Sequence, residues 1–351
     1  MVSMHGGEQA IYIEEHPILK GHISCKDNSI CILCRIHINN HRIFSRTKYY
    51  ITRSLNKMAK TEEEINATEL IHLSYDGNFE LETDAIVLCS VIDDKATDTT
   101  TRMKNIPIQL QLDITTMHPQ GGGQPTDTGT ITAISSYDGT SYSAQINKVT
   151  IDRSTGIVTH AGHIWSDDPN NNNTSMESDF FPTNTKVKVS VDADNRQILS
   201  ECHTAGHVVD AAMARIEMNL KPTKGYHFLD GPYVEYKVTI DVKERDDFLS
   251  RLKVAYQELI DEDIATNIQT LPVDEANELC NRTASNFNLK DFTSPDDPDP
   301  KVRVVTVAGY NCPCGGTHVK STGVLKDKGW CVKGLRCKKG IVRIRYGMKE
   351  D

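Results

Sequence analysis

Short runs of β-branched and alternating residues occupy most of residues 84–200. Runs of this kind, when turn residues bound them, are typical of β-strands. The segment Asp-Arg-Ser-Thr-Gly at 152–156 predicts a turn between two of them. The simplest arrangement of these strands is a small β-barrel-like domain. The predicted strands are residues 85–92, 106–113, 130–134, 142–151 and 186–191.

The pattern becomes helical from Glu201 onward, where side chains that share a helix face recur at three- and four-residue steps. A strand at 234–242, a helix at 248–264 and a strand at 302–307 follow. The sequence therefore predicts an α+β protein, in which an antiparallel sheet with helices follows the barrel-like domain. The first helix has a stripe of His203, His207, Ala211, Ala214 and Met218, which Val208, Ala212 and Ile216 widen.

Three regions follow from these patterns. Residues 1–70 are predicted to be an N-terminal extension outside the core, because 36–60 carry basic residues, no acids and no clear periodicity. The residues from Met58 onward resemble a natural protein start, so we interpret 1–57 as an alternative or misassigned start. Residues 71–200 are predicted to form the β-rich domain with a glycine-rich motif, and 201–351 the metal-binding domain.

The length and composition are typical of a cytoplasmic enzyme. A chain of 351 residues is long enough for two domains with buried cores. It contains no apolar run near the roughly 18 residues of a membrane span and no segment typical of a signal peptide. Without a secretion signal, its ten cysteines are expected to be reduced thiols or metal ligands.

The charge is uneven along the chain. The sequence has 39 basic and 48 acidic residues and a net charge of −9, which is not typical of a general nucleic-acid-binding protein. Residues 319–349 nevertheless contain ten basic residues and one acid, Asp327. This segment is expected either to meet a phosphate backbone or to form a solvated strand-and-turn surface.

Two distant segments carry candidate metal ligands. In Cys-His-Thr-Ala-Gly-His at 202–207, His203 and His207 lie one helical turn apart and so share a helix face. Thr204 follows the first histidine, whereas the common protease pattern has a glutamate there that acts as general base. A protease is therefore not predicted. His-x-x-x-His alone is a weak signal, because it also occurs by chance.

The second segment is more specific. Cys314 and His318 flank Gly-Gly-Thr, a sequence that favours a tight turn over a helix. Together with His203 and His207 they make a set of three imidazoles and one thiolate, which suits Zn²⁺. Neighbouring cysteines, Cys202 and Cys312, are possible substitute ligands, but Cys314 is preferred because it completes the Cys-Gly-Gly-Thr-His pattern.

The N-terminal extension contains another candidate zinc set. Only two residues separate its third cysteine from its first histidine, which leaves no room for the finger that usually divides the ligand pairs. Zinc binding is therefore not predicted there. The set consists of Cys25, Cys31, Cys34, His37 and His41.

The two metal segments resemble those of the alanyl-tRNA editing domain, which occurs inside alanyl-tRNA synthetases and as freestanding proteins called AlaX. The segment Met-His-Pro-Gln-Gly-Gly-Gly-Gln-Pro-Thr-Asp-Thr-Gly at 117–129 resembles the glycine-rich motif of the longer freestanding members. The stretches at 225–236 and 302–307 are also similar to that family. The similarity runs from about residue 84 to the end of the chain.

The resemblance implies a zinc-dependent trans-editing hydrolase that acts on alanine-specific tRNA carrying serine, or glycine as a second candidate. A pocket for alanine cannot strongly exclude serine, so a second, hydrolytic site is needed. Such a site is expected to offer a polar partner to the serine hydroxyl, and Thr115 and Gln124, which flank the glycine-rich loop, are the candidates. Their alternative roles are a strand hydroxyl and a loop-stabilising amide.

The sequence leaves the mechanism open. One route has zinc lowering the pKa of a bound water to make hydroxide. Four protein ligands usually close a tetrahedral ion, so this route requires one loose ligand or an expanded coordination shell. In the other route, zinc positions the aminoacyl group while an outer water attacks. Three further histidines, His118, His160 and His227, are expected to be structural. A zinc-stabilised tRNA-binding protein without catalytic activity is the alternative function. A synthetase fragment is less favoured, because the residues upstream of 84 leave no room for an aminoacylation domain.

Overall fold

The computed structural model describes residues 67–92, 106–134, 141–165, 180–294 and 297–349. The chain divides into two units, Met1–Glu64 and Ile65–Asp351, and all of the described residues belong to the second. The predicted extension therefore lies outside the described residues apart from 67–70, and so does the candidate zinc set that begins at Cys25. The division of the remainder at residue 200 stays a prediction.

A closed barrel of six antiparallel strands forms the first part of the second unit, in the order β2-β3-β7-β6-β5-β8. This confirms the predicted barrel. Its interior is filled by apolar side chains that alternate with exposed ones along each strand, as in β3 and β8. The strands up to this point are β1 Glu69–Leu70, β2 Glu82–Ile92, β3 Ile106–Leu112, β4 Ile114–Thr115, β5 Gly129–Ile134, β6 Ser141–Ile151, β7 Val158–Trp165 and β8 Lys186–Val191.

Strand β7 is the barrel strand that the sequence pattern missed. It contains two histidines and a glycine, which weaken the strand signal. The barrel requires that glycine, because a Cβ on Gly162 would lie 1.9 Å from the carbonyl oxygen of Gln145 on β6. Close approach of two backbones thus explains an atypical strand sequence.

A long helix, α1 Ala193–Arg215, follows the barrel. It begins before the predicted start at Glu201, because the Asp192 side chain caps it by accepting a hydrogen bond from the Asn195 backbone N–H at 3.1 Å. Most of α1 is buried, including the Glu201–Met213 stretch. Helix α2, Arg245–Asp261, starts and ends three residues before the prediction, and α3, Val273–Asn281, was not predicted.

Two antiparallel sheets pack around these helices, which confirms the predicted α+β class. The four-stranded sheet has the order β14-β15-β10-β9, and the three-stranded sheet the order β11-β12-β13. The strand predicted at 234–242 ends at Lys237. The bounds are β9 Pro222–Tyr226, β10 Tyr233–Lys237, β11 Asn267–Pro272, β12 Lys301–Val307, β13 Tyr310–Pro313, β14 Cys331–Lys338 and β15 Ile341–Gly347.

Within the part of the chain that the structure describes, no helix has both the length and the apolar character that crossing a membrane requires.

A candidate metal centre beside a cleft

Four side chains from two distant segments meet at one point. His203 and His207 project from the same face of α1, and the loop after β13 brings Cys314 and His318 to them. One ligand atom from each residue lies within 4.8 Å of all the others. The structure therefore brings together the four predicted ligands.

The spacing of these atoms fits a metal ion. The Cys314 Sγ atom lies 3.4 Å from Nε2 of His203 and 3.4 Å from Nε2 of His318. In tetrahedral zinc sites, with Zn–S of about 2.3 Å and Zn–N of about 2.0–2.1 Å, sulfur and nitrogen ligands are about 3.5 Å apart. The three imidazoles and the thiol are also a donor set that such an ion accepts. This cluster can hold a metal ion.

Burial keeps the three imidazoles of the cluster in the neutral form that binds a metal ion. It lowers the pKa of His207 to about 4 and the pKa values of His203 and His318 well below the ordinary value. These histidines are therefore neutral near pH 7, and a neutral imidazole offers a nitrogen lone pair to a metal. Burial also raises the pKa of the Cys314 thiol, which the positive charge of Arg303 partly offsets.

Hydrogen bonds on the far side of two rings fix their orientation. Nδ1 of His203 lies 2.7 Å from Oε1 of Gln124. Because an amide oxygen only accepts, Nδ1 carries the proton and Nε2 presents its lone pair to the cluster. Nδ1 of His318 lies 3.2 Å from the Thr204 hydroxyl, which also accepts the Val319 backbone N–H at 3.1 Å.

His207 is held differently. Its Nδ1 atom has no hydrogen-bond partner among the described residues, and the nearest carboxylate oxygen, on Asp210, is 3.6 Å away. Burial raises the pKa of Asp210 to about 7, and the Tyr236 hydroxyl donates a hydrogen bond to it. The i, i+3 spacing of His207 and Asp210 on α1 could have pointed to this contact in the sequence.

A cleft of about 630 Å³ opens beside the cluster. His203, His207 and Cys314 line one wall, and Arg303 lies near them. Residues 118–122 of the glycine-rich loop also line the cleft. The volume lies in the range of small-molecule and cofactor sites. The metal cluster is thus accessible from the cleft on the Cys314 side.

The glycine-rich loop reaches the cleft because it turns sharply and packs closely. Gly122 and Gly123 have φ values of 57° and 82°, in the left-handed region that favours glycine. A Cβ on Gly123 would also lie 2.5 Å from the Gly225 carbonyl oxygen. The carbonyl of Gly123 in turn accepts the His227 N–H at 2.9 Å.

A buried ion pair ties this loop to the metal-bearing helix. Arg196, in the first turns of α1, donates hydrogen bonds to both carboxylate oxygens of Asp127. Arg196 also donates to the Thr116 carbonyl at 2.7 Å, and Asp127 accepts the His118 N–H at 2.6 Å. These contacts fix the loop relative to His203 and His207.

The two predicted catalytic residues, Thr115 and Gln124, are both completely buried, and neither is among the described residues that line the cleft. The Thr115 hydroxyl lies 2.9 Å from Nε2 of His160, inside the barrel. Gln124 contacts His203 and, through its amide N–H, the Thr317 hydroxyl at 2.8 Å. Their contact with a serine hydroxyl stays a prediction.

The other residues noted in the sequence lie around the cluster. Cys202 is buried, its thiol donates to the His227 carbonyl at 3.3 Å, and burial raises its pKa to about 12. Cys312 and His118 line the cleft. The His227 ring also lines the cleft and stacks on His203 with a centroid distance of 4.2 Å.

Sequence reasoning missed two residues that hold the cysteine motif. The Asn78 side chain binds both backbone groups of His318. Its Nδ2 atom donates to the His318 carbonyl at 2.8 Å, and its Oδ1 atom accepts from the His318 N–H at 3.0 Å. Arg303 donates to the carbonyls of Cys314 and Leu73. Asn78 lies 240 residues from its partner, and no local pattern marks such a contact.

No family model matches the chain, but curated proteins resemble it. The alanyl-tRNA editing protein AlaX-M of Methanosarcina barkeri is 32% identical over 216 residues, which cover 61% of the chain and 79% of that protein. AlaX-M of Methanosarcina mazei is 29% identical over 220 residues, or 62% of the chain and 78% of that protein. The alanine–tRNA ligase of Methanopyrus kandleri is 27% identical over 290 residues, 82% of the chain, but the chain spans only 27% of the ligase.

Proposed function

This chain belongs to the AlaX family of alanyl-tRNA editing proteins, and we propose that it removes serine, and glycine as a second substrate, from mischarged alanine-specific tRNA. The reaction is the hydrolysis of the ester between the amino acid and the tRNA. We further propose that the ion at the cluster is Zn²⁺ and that the protein works in the cytoplasm.

One observation carries this proposal: four side chains that could hold a metal ion converge beside a cleft, and three of them line it. His203, His207 and Cys314 line that cleft, so an aminoacyl group bound there would meet the metal site directly. A zinc ion held by these residues would supply a Lewis acid that polarises the ester carbonyl or promotes loss of a proton from water.

The chain's own residues orient the site. Gln124 fixes the His203 ring through Nδ1, and the Thr204 hydroxyl does the same for His318. Residues 118–122 of the glycine-rich loop also line the cleft, so a bound aminoacyl group would lie beside this loop. Since Gly121 and Gly122 carry no side chains, the backbone of the loop can approach an aminoacyl group closely there.

To prefer serine over alanine, the site requires a polar group that forms a hydrogen bond with the serine hydroxyl. The sequence suggested Thr115 and Gln124 for this role, and we retain both as candidates. Gln124 lies directly behind His203, so it acts on the cleft through that ring. Thr115 lies behind the loop and contacts His160, so its effect on substrate choice must pass through the Met117 N–H that it accepts at 3.1 Å.

A second function has one observation in its favour. Four protein ligands close a tetrahedral zinc ion in structural sites, whereas catalytic sites usually leave one position open. The cluster would then stabilise a tRNA-binding protein that has no catalytic activity. Three of the four residues line the cleft, which favours the editing function over this alternative.

A deacylation assay tests the proposal. The purified full chain is incubated with alanine-specific tRNA carrying serine, glycine or alanine, and the remaining ester is followed with time. We expect the seryl ester to be lost much faster than the alanyl ester, with activity lost after chelation and recovered with Zn²⁺. Equal stability of all esters, together with tight tRNA binding, would establish the non-catalytic alternative.

Matched variants connect the activity to the cluster. His203→Ala removes one ligand, and we expect activity and bound metal to fall together. His163→Ala is the control, because His163 lies on β7 beside a different surface depression and away from the cluster. Loss of activity in both variants, with unchanged metal content, would contradict a role for the cluster.

A further inference from the structure

The outer face of the sheet β14-β15-β10-β9 concentrates positive charge. Its strands contain seven Lys and Arg residues and a single acid, Glu235. The whole chain, in contrast, carries a net charge of −9. The inner face is apolar and packs on α1 and α2 through residues such as Tyr236, Ile344 and Tyr346.

The strand register places six of these cations on the outer face. Val342, Ile344 and Tyr346 of β15 are buried, so the alternating positions at Arg343 and Arg345 face outward. Cross-strand partners share a face, which extends the set over all four strands. The six outward cations are Lys224, Lys237, Arg336, Lys338, Arg343 and Arg345.

Two arginines are directly opposed across this face. Arg336 of β14 pairs in register with Arg343 of β15. Like charges directly opposite each other destabilise a sheet. Glu235 on β10 forms an ion pair with Arg343. Arg336 has no ion pair with any residue that the structure describes. An anion bound at this face would relieve the repulsion.

Aromatic rings lie beside the cations. Tyr226 of β9 and Tyr233 of β10 are register partners whose rings stack with a centroid distance of 5.3 Å and an angle of 20°. Phe228 stacks on Tyr226 at 4.6 Å and 15°. The Arg343 guanidinium lies 4.5 Å from the centre of the Tyr233 ring. Half-buried rings of this kind among cations are typical of surfaces that stack unpaired bases.

The face adjoins the cleft through strand β9. This strand is at the edge of the sheet, and its Gly225, together with the following His227, lines the cleft. Lys224, which precedes Gly225, and Tyr226, which lies between Gly225 and His227, both point to the outer face. A polymer bound on the outer face would therefore have to cross only strand β9 to enter the cleft.

We propose that this outer face binds the acceptor end of the tRNA, with the cations on its phosphates and the rings of Tyr226, Phe228 and Tyr233 on its unpaired bases. The inference rests on the proposed editing function, since it delivers the 3′ end of the RNA to the cleft. Phosphates suit the clustered cations, and unpaired bases suit the stacked rings. Both parts of the surface therefore match one ligand, the acceptor end of an RNA.

Charge reversal tests the cationic half. The full chain with Arg336→Glu, Lys338→Glu and Arg345→Glu is compared with wild type for binding of uncharged tRNA over a range of salt concentrations. Losing three phosphate contacts should weaken binding by about 100-fold near 0.1 M salt and make the salt dependence shallower. The control carries Lys148→Glu, Lys243→Glu and Lys253→Glu, exposed lysines elsewhere that give the same change in net charge.

A second pair of variants tests the stacking half. Tyr226→Leu removes a ring while keeping an apolar side chain, and Tyr75→Leu is the control, because Tyr75 is exposed at 46% away from this sheet. The probes are an acceptor-stem RNA with its unpaired 3′ nucleotides and the same RNA without them. Wild type and control should prefer the longer RNA by about tenfold, and Tyr226→Leu should lose most of that preference.

The outcomes separate this inference from the proposed function. Hydrolysis of the seryl ester by wild type, with equal tRNA binding by the two charge-reversal proteins, would overturn the inference and leave the editing function intact. RNA binding that depends on the face, without any hydrolysis, would support the inference and overturn the editing function. Stronger binding of polyglutamate than of RNA would assign the face to an acidic protein partner and overturn the inference.

Discussion

Gln124 supports a specific prediction about how the metal site is held. Its side chain is completely buried, and its Oε1 atom accepts two hydrogen bonds, from His203 Nδ1 at 2.7 Å and from the Thr317 N–H at 2.9 Å. Gln124→Met keeps a side chain of similar length but removes both acceptor contacts. We expect this substitution to weaken both folding and metal binding.

The magnitudes follow from these contacts. Each buried N–H left without a partner costs about 1–3 kcal/mol, so the two together should lower the free energy of unfolding by about 2–6 kcal/mol. Removing the partner that orients a metal-bound histidine typically weakens metal affinity by about 10–100-fold. The first quantity is read from urea unfolding in the presence of chelator, and the second from competition with a chelator of known affinity.

Thr317→Val provides the matched control. It removes the hydroxyl that accepts from Gln124 Nε2 and lies 2.7 Å from the Ser200 hydroxyl, but it leaves the contact between Gln124 Oε1 and His203. We expect a comparable loss of stability with metal affinity within about threefold of wild type. Equal metal affinity in Gln124→Met and wild type, or an equal loss in the two variants, would refute the reasoning.

Three further predictions follow. Arg196→Met leaves Asp127 as a buried unpaired carboxylate and should lower the free energy of unfolding, measured in urea, by about 3–5 kcal/mol. Adding Asp127→Asn removes that charge, so the double variant should recover part of the loss. Gly206→Ala in a solvent-exposed helix would raise the free energy of unfolding by about 1 kcal/mol. Here we expect it to lower that free energy by about 1–3 kcal/mol, because the added Cβ would lie 2.5 Å from Cε1 of His227. A raised midpoint in urea unfolding would contradict this. Burial lowers the pKa of His160 from 6.5 to about 4. Between these pH values the unfolded chain binds a proton that the folded chain does not, so the free energy of unfolding falls as the pH decreases, by about 1.4 kcal/mol per pH unit for this group. A melting temperature, measured in chelator, that stays constant from pH 7 to 4.5 would contradict this.

Local sequence determined the features that depend on neighbouring residues. The placement of His203 and His207 on one helix face, the non-helical course of the cysteine motif and most barrel strands follow from short-range periodicity and composition. The resemblance to alanyl-tRNA editing proteins is confirmed by the AlaX-M relatives. In these cases the signal lies within a few residues of the feature that it predicts.

Tertiary structure decided which polar groups hold the site. Gln124 was selected in the sequence as a partner for substrate, but the fold turns it toward His203, 79 residues away, and Thr317, 193 residues away. Asn78 secures His318 over a still longer separation, and its sequence surroundings give no sign of this role. A buried polar side chain must find its partner wherever the packed chain provides one. Such partners lie on other helices, strands and loops. The local sequence shows that a polar side chain will need a hydrogen bond, but only the folded chain determines which residue provides it.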